Sequence, residues 1–259
     1  MLVPQRVRCH PYLSLLGHST SEITVYSGST VVLTGVGAKG QVGEAIARAF
    51  ADLGASVVLV DRAADKVQER VDDITATGHS ARGYACDLAD ESSVASLIDN
   101  VRRDCGDRIN ALVHMAGGFA MSGPVAESTL EVWNRQIAIN LTTAYLTTRA
   151  FLPLLRPAKG AIVLFSSEAA LPGATGSNRS AYAIAKTGVA TLMRSIANEE
   201  KKNGVRANAV APISIRTAAN VSAMGENARY IEREQVASVV TFLCSDAASA
   251  ITGELLPLS

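Results

Sequence analysis

The sequence shows no excess of either charge and no long apolar run. Its 259 residues carry 24 Lys and Arg against 24 Asp and Glu, so the formal net charge is +0 at pH 7. A neutral chain offers no basic field to nucleic acid or to an anionic membrane surface. No stretch reaches the roughly 18 apolar residues of a spanning helix. We therefore expect a small-molecule partner, and no nucleic acid or membrane.

Cysteine is also scarce. Cys9, Cys86, Cys105 and Cys244 are scattered, with no Cys-x-x-Cys pair and no histidine at ligand spacing. This pattern predicts no metal site and no disulfide framework. It favours reduced thiols and a cytoplasmic protein.

The first 28 residues lack periodicity. Arg6 and Arg8 occur with no acidic residue before Glu22. This segment is typical of a flexible leader or of a start codon set too early; an organelle presequence would share the composition, but the amphipathic pattern is poor. Residues 29–259 contain no linker, repeat or low-complexity segment, so they are predicted to form one domain.

Short β-branched runs alternate with helical patterns from residue 29 onward. "STVVLTG" is followed by "GEAIARAFADLG", then "SVVLVD", and the alternation continues to "GELLPLS" at the end of the chain. Continuous apolar strands with helices between them are typical of a parallel sheet covered on both faces. The prediction is an α/β fold with a single doubly wound parallel sheet, a Rossmann fold. Residues 130–155 are predicted to form one long helix.

A glycine-rich turn follows the first predicted strand. It reads "TGVGAKGQVG" over residues 34–43 and contains Gly35, Gly37, Gly40, Val42 and Gly43. Glycine allows a tight turn and a close approach of backbone N–H groups to a pyrophosphate at the following helix N-terminus. A connector without a ligand is the alternative.

The second predicted strand ends at Asp61, eighteen residues after Gly43. A carboxylate at this spacing accepts hydrogen bonds from an adenosine ribose and repels a 2′-phosphate, whereas the adjacent Arg62 would attract one. The pair favours NAD as cofactor, with NADP possible. Asp87 ends the third strand at the predicted adenine rim. Either aspartate could instead cap the helix that follows it.

Tyr182 and Lys186 lie four residues apart in "AYAIAK". On a helix they share one face, one turn apart. Taken alone, such a pair is usually part of a helix surface.

The chain also carries several short motifs in a fixed order. They are the glycine turn, Asp61, Asp87, "AGG" at 116–118, "IAIN" ending in Asn140, "LFSS" ending in Ser167, "AYAIAK", and "VAPISIRT" ending in Thr217. Together they resemble the short-chain dehydrogenase/reductase family over nearly all of residues 29–259. The resemblance implies an NAD(P)-dependent oxidoreductase that interconverts a carbonyl and a secondary alcohol. It also implies a homo-oligomer, either a dimer or a tetramer.

The resemblance implies a catalytic group of Asn140, Ser167, Tyr182 and Lys186. A phenol with a pKa of about 10 exchanges protons poorly near neutrality, so the Lys186 ammonium and an oxidised nicotinamide are expected to lower the pKa of Tyr182. Ser167 would hydrogen-bond the substrate oxygen, and Asn140 would keep a water in a proton relay. The implied cofactor contacts, beyond the turn and the two aspartates, are Arg62, Leu88, Ala116, Gly117, Tyr182, Lys186, Pro212, Ile215 and Thr217.

Some residues depart from the family pattern. Met115 stands where the family usually has an asparagine that ties neighbouring strands together. Only about a dozen residues follow Thr217 before the last helix, which predicts an open site or one completed by another subunit. "AGGF" and "APISIRTAANVSAM" are similar to the dihydropteridine reductase branch, so a quinonoid pterin is an alternative substrate. A cofactor-binding redox sensor or scaffold without turnover is a third possibility.

Overall fold

A computed structural model describes residues 25–259 and contains one seven-stranded parallel sheet. The strand order is β3-β2-β1-β4-β5-β6-β7. This confirms the predicted doubly wound α/β fold. The strands are β1 (Thr30–Thr34), β2 (Ser56–Asp61), β3 (Ala81–Ala85), β4 (Ala111–His114), β5 (Ala161–Phe165), β6 (Arg206–Pro212) and β7 (Leu255–Leu258).

Helices cover both faces of the sheet because neighbouring strand residues point in opposite directions. The helices are α1 (Val42–Asp52), α2 (Ala64–Thr75), α3 (Glu91–Cys105), α4 (Leu130–Ile137), α5 (Thr143–Leu155), α6 (Ser180–Glu199), α7 (Ala218–Met224) and α8 (Arg233–Cys244). Val31 and Leu33 pack into one apolar cluster with α1, α2 and α8, while Val32 packs into the other with α3, α5 and α6.

The strand order reverses between β1 and β4. These strands are hydrogen-bonded neighbours, with Thr34 opposite His114 in the register. The loops after β1 and β4 therefore leave the sheet toward opposite helical layers, and a crevice opens between them at the carboxyl ends of the strands. The glycine turn and "AGG" both border this crevice.

The predicted long helix over residues 130–155 is helical throughout, but a π-helical turn at Ala138–Thr142 joins α4 to α5. The widened turn carries Asn140, whose amide bonds Gln136 and the loop at Gly118. Because the apolar pattern continues through this turn, periodicity alone does not reveal it.

The folded part of the chain includes residues that the sequence analysis assigns to the leader. Tyr26 is buried against Phe50, with ring centroids 5.0 Å apart, and its hydroxyl donates to Thr241 O at 2.5 Å. Tyr26 thus fills a core position although it precedes the predicted boundary at residue 28. The remainder of the predicted leader, residues 1–24, lies outside the described residues.

Within residues 25–259, Cys86, Cys105 and Cys244 are free thiols, and no group of His, Cys, Asp and Glu has the arrangement of a metal site. Cys9 lies outside this range. No helix among the same residues is both long enough and apolar enough to cross a membrane.

Candidate active site

A cavity of about 540 Å³ lies at the carboxyl ends of β1 to β4. Its lining includes most residues that the sequence analysis assigns to a cofactor: Gly35, Gly37, Val42, Gly43, Asp61, Arg62, Asp87, Leu88, Ala116 and Gly117. The lining also includes residues that no sequence motif indicated, among them Gln41, Cys86, Arg135 and Thr143. We call this space the first cavity.

Two glycines in the turn allow close backbone packing. A Cβ on Gly35, where φ is +75°, would lie 2.5 Å from Ala116 N in the loop after β4. A Cβ on Gly43 would lie 2.6 Å from Val36 Cα, so α1 could not pack against its own turn. Side chains at either position would force the turn away from the sheet.

The amino end of α1 faces the first cavity without a side-chain cap. Gln41 occupies the N-cap position and makes no capping bond, and Gln41, Val42 and Gly43 all line the cavity. The first N–H groups of a helix lack intrahelical partners and attract anions. The arrangement therefore suits a phosphate.

Gly40 does not line this cavity. Its N–H donates to the Glu44 carboxylate at 2.5 Å, and Glu44 in turn lies 3.4 Å from the buried Arg70 guanidinium. Gly40 therefore shapes the outer part of the turn, and its contact with a cofactor stays a prediction.

Asp61 joins the end of β2 to the glycine turn. One carboxylate oxygen accepts from Gly37 N at 2.8 Å, and the other accepts from Arg62 N at 2.7 Å. Asp87 is exposed and accepts from Ala89 N, whereas the N-cap of α3 is Asp90. Neither predicted aspartate is thus the N-cap of the helix that follows it.

A second cavity of about 560 Å³ adjoins the first. It is lined by Ser167, Tyr182, Lys186, Pro212, Ile215 and Thr217, all identified from the sequence. The two cavities share Gln41, Val42, Met115, Gly117 and Gly118. They are therefore two parts of one cleft.

Lys186 lies at the base of the second cavity. It is buried, its Nζ donates to Phe165 O at 2.8 Å, and the Nζ is 5.9 Å from the centre of the Tyr182 ring. Burial disfavours the ammonium and lowers the pKa of Lys186 to about 8. The side chain is thus protonated at neutral pH and loses its charge in mildly alkaline solution.

The pKa of Tyr182 moves opposite to the expectation. Burial raises it, while a hydrogen bond with Ser167 and the charge of Arg179 lower it to a smaller extent. The expected lowering by Lys186 is not among the causes. Ser167 Oγ also accepts from Ala169 N at 3.2 Å, so the hydroxyl contacts both the backbone after β5 and the phenol.

Asn140 is buried and fixes the loop after β4. Its Oδ1 accepts from Gly118 N at 3.1 Å, and its Nδ2 donates to Gly118 O at 2.9 Å and to Gln136 O at 3.1 Å. A Cβ on Gly117 would lie 2.5 Å from Asn140 Oδ1. Both polar atoms of the amide are engaged by protein, so the side chain positions this loop, and the water relay stays a prediction.

A buried histidine ties this region together. Nδ1 of His114 lies 2.8 Å from Thr34 Oγ1 on β1, and Nε2 lies 3.3 Å from Thr143 Oγ1 on α5. Thr143 donates its own proton to Ile139 O, so we assign the ring proton to Nε2. Burial, and next the charge of Lys186, lower the pKa of His114 to about 3. The neutral ring links β1 and β4 to the turn of Asn140, beside the position where Met115 replaces the expected asparagine.

The segment after β6 forms one wall of the second cavity. Ile215 and Ile231 pair in an isolated parallel bridge, and the Thr217 hydroxyl caps α7 by accepting from Asn220 N. Phe119, from the loop after β4, contributes to the lining and stacks edge-to-face on Tyr182 with centroids 5.1 Å apart. The segment between Thr217 and the last helix is short, as predicted, yet it contains the helix α7.

The chain is similar to known oxidoreductases over most of its length. A family model described as enoyl-(acyl carrier protein) reductase matches residues 35–258. The cis-4-hydroxycyclohexanecarboxylate dehydrogenase of Sinomonas cyclohexanicum is 37% identical, over 85% of the chain and 91% of the relative.

Two solved structures have similar folds. A putative short-chain dehydrogenase/reductase from Burkholderia xenovorans has a TM-score of 0.82 and 30% identity, covering 91% of this chain and 96% of the other. A putative NAD(P)-dependent gluconate 5-dehydrogenase from Beutenbergia cavernae, with bound NADP at low occupancy, has a TM-score of 0.81 and 31% identity, with the same coverages.

Proposed function

Because the chain belongs to the short-chain dehydrogenase/reductase family, we propose that it is an NAD(P)-dependent oxidoreductase that interconverts a carbonyl and a secondary alcohol. The observation that carries this proposal is the meeting of Ser167, Tyr182 and Lys186 in a cavity continuous with the glycine turn. We further propose that residues 29–259, extended by the turn at Tyr26, act as one catalytic domain.

The first cavity fits a dinucleotide by the chemistry of its groups. The uncapped amino end of α1 would hold the pyrophosphate, and Asp61 would accept hydrogen bonds from the adenosine ribose. Asp87 and Leu88 would border the adenine, and Gly117 and Ile215 would border the nicotinamide. When bound, the nicotinamide supplies or accepts the hydride.

Tyr182 moves the proton. Its raised pKa keeps the phenol protonated near neutral pH, which is the state required to donate to a carbonyl oxygen. Ser167 donates a hydrogen bond to the same oxygen as negative charge develops there. Lys186, with its Nζ 5.9 Å from the centre of the Tyr182 ring, would hold the nicotinamide ribose, and Asn140 holds the loop that borders both cavities.

The relatives support this assignment. The Sinomonas relative acts on a secondary alcohol of a ring, and the Beutenbergia structure holds NADP. The free thiols of Cys86, Cys105 and Cys244 suit a reducing compartment, so we propose a cytoplasmic location.

The experiment is an assay of the purified protein with NADH and NADPH against a panel of ketones and aldehydes. Tyr182→Phe should retain cofactor affinity and lower kcat by about a hundredfold or more, because the ring keeps its shape but loses the proton. Lys186→Met should weaken both turnover and cofactor binding. The matched control is Tyr145→Phe, which removes a hydroxyl from the exposed surface of α5.

Turnover retained by Tyr182→Phe would contradict the proposed role of the phenol. Tight cofactor binding with no turnover of any carbonyl would favour the sensor or scaffold alternative.

A further inference from the structure

Arg179 is a charged residue of the second cavity that the proposed reaction does not use. It lies three residues before Tyr182 and contributes to the cavity lining beside it. Arg179 is the N-cap residue of α6, and its charge acts on the phenol of Tyr182 and lowers the pKa of that group. A group bound by Arg179 would therefore belong to the same molecule that meets the phenol.

The guanidinium has a weak partner. Among residues 25–259 its one ion-pair contact is with Glu168, at 3.9 Å, which is too long for a hydrogen bond. The side chain is nevertheless 30% exposed, so most of it is covered by protein. An arginine offers five N–H donors in a planar fork that matches a carboxylate. These donors are accessible from the cleft and can bind an anion there.

Lys186 does not compete for the same anion because its Nζ donates to Phe165 O beneath the phenol. Glu168 does compete, since it also lines the cavity. However, 43% of its side chain is exposed, so it can turn to solvent when an anion approaches Arg179.

The rest of the lining is largely apolar. Phe119 and Met224 are more than half exposed at the cavity, although large apolar side chains usually bury more of their surface. Met115, Ile213 and Ile215 lie deeper. Such a surface suits an aliphatic or alicyclic body.

We propose that Arg179 binds a carboxylate of the substrate, so that the enzyme acts on keto acids and hydroxy acids with an apolar body. The inference rests on the proposed function and narrows its substrate class. In the reducing direction the hydride adds to the ketone carbon, Tyr182 protonates the oxygen, and the carboxylate stays unchanged on Arg179.

The first test compares 4-oxocyclohexanecarboxylate with its methyl ester, which has the same ring without the charge. The wild-type protein should prefer the acid by at least tenfold in kcat/KM. Arg179→Met should raise KM for the acid at least tenfold and abolish that preference. The lost charge also acts on Tyr182, but that effect lowers kcat for both compounds. The ratio of kcat/KM for the acid to kcat/KM for the ester therefore isolates carboxylate binding.

Three variants complete the design. Arg179→Lys should retain part of the preference, because it keeps the charge and loses the fork. Glu168→Gln should lower KM for the acid by removing the competing anion. Arg194→Met, which removes an exposed arginine from the same helix away from the cleft, should leave the ratio unchanged.

A binding measurement makes the test independent of turnover. Calorimetry on the cofactor-loaded wild-type protein should show tighter binding of cyclohexanecarboxylate than of cyclohexanecarboxamide. Equal binding of the two, or a preference that survives Arg179→Met, overturns the carboxylate inference and leaves the proposed function standing. Preferential binding without reduction of acid or ester contradicts the proposed function instead.

Discussion

At the scale of single residues, we expect Asp61 to control the choice between the two nicotinamide cofactors. Its carboxylate is held by Gly37 N and Arg62 N at the ribose end of the first cavity. A 2′-phosphate there meets repulsion, so NADH should bind about tenfold more tightly than NADPH, a difference of about 1.4 kcal/mol. Fluorescence titration with each cofactor measures the ratio.

Asp61→Asn gives the sharper comparison because the amide oxygen can still accept from Gly37. The variant should bind NADPH better than the wild type does, and Arg62→Gln should bind it worse. Equal or tighter NADPH binding by the wild type at physiological salt would show that Arg62 controls the site.

A substitution of Ser167 distinguishes a carbonyl substrate from a quinonoid pterin. A ketone oxygen develops localised charge, and a hydroxyl donor aimed at it contributes about a hundredfold to the rate, or about 2.7 kcal/mol. Ser167→Ala should therefore lower kcat/KM for a ketone by about a hundredfold. A conjugated ring spreads the charge and depends less on one donor.

Three results together would contradict the carbonyl assignment and favour the pterin. The protein would reduce a quinonoid pterin well, Ser167→Ala would change that rate only a few-fold, and simple carbonyls would not be reduced. Steady-state rates on both compound classes decide the question.

The sequence was sufficient for residues whose role depends on chain spacing. Tyr182 and Lys186 are a helical turn apart, and Asp61 follows the glycine turn at a set distance, so their placement follows from local geometry. Arg179 and His114 could not be identified this way. The role of His114 depends on Thr34 and Thr143, which are distant in the chain and adjacent only after the sheet forms.

At the scale of elements, His114 connects β1, β4 and α5, and this connection should be sensitive to acid. Its pKa of about 3 in the folded protein lies below its usual value of 6.5, because burial disfavours the imidazolium. The unfolded chain therefore takes up a proton first as the pH falls. The stabilisation is complete above about pH 6.5 and is lost progressively toward pH 3.

We expect the melting temperature of the wild type to fall between pH 6.5 and 4 more steeply than that of His114→Gln. The amide can still bridge Thr34 and Thr143 but does not titrate. The control is His79→Gln, which removes a partly exposed imidazole. It shows how much the slope of melting temperature against pH changes when a histidine elsewhere in the protein is lost. Parallel curves for the wild type and His114→Gln would contradict the argument. Differential scanning fluorimetry across this pH range measures all three.

Strand and helix order followed from hydrophobic patterning because both faces of the sheet are covered. The π-helical turn at Ala138–Thr142 did not, since its extra residue is held by tertiary hydrogen bonds of Asn140 rather than by the local sequence. Likewise Tyr26 joins the core through Phe50 and Thr241, whose proximity no local pattern reveals.

At the scale of the whole molecule, we propose that exposed apolar side chains of the helices form contacts between subunits. Leu130 on α4, Tyr145 on α5 and Phe242 on α8 each expose more than two fifths of their surface. We expect a dimer or tetramer by light scattering at micromolar concentration. Leu130→Glu combined with Tyr145→Glu should shift the mass toward the monomer, whereas a monomeric wild type would contradict the expectation.

We expect the wall shared by the two cavities to set the order in which substrates bind and products leave. Gln41, Val42, Met115, Gly117 and Gly118 border both spaces, so a dinucleotide lying along them completes the boundary of the second. The organic substrate then meets its full binding surface only after the dinucleotide has entered, and must depart before the dinucleotide can leave. Steady-state kinetics should be compulsory-ordered: oxidised cofactor competes with reduced cofactor, while the alcohol product inhibits noncompetitively against it.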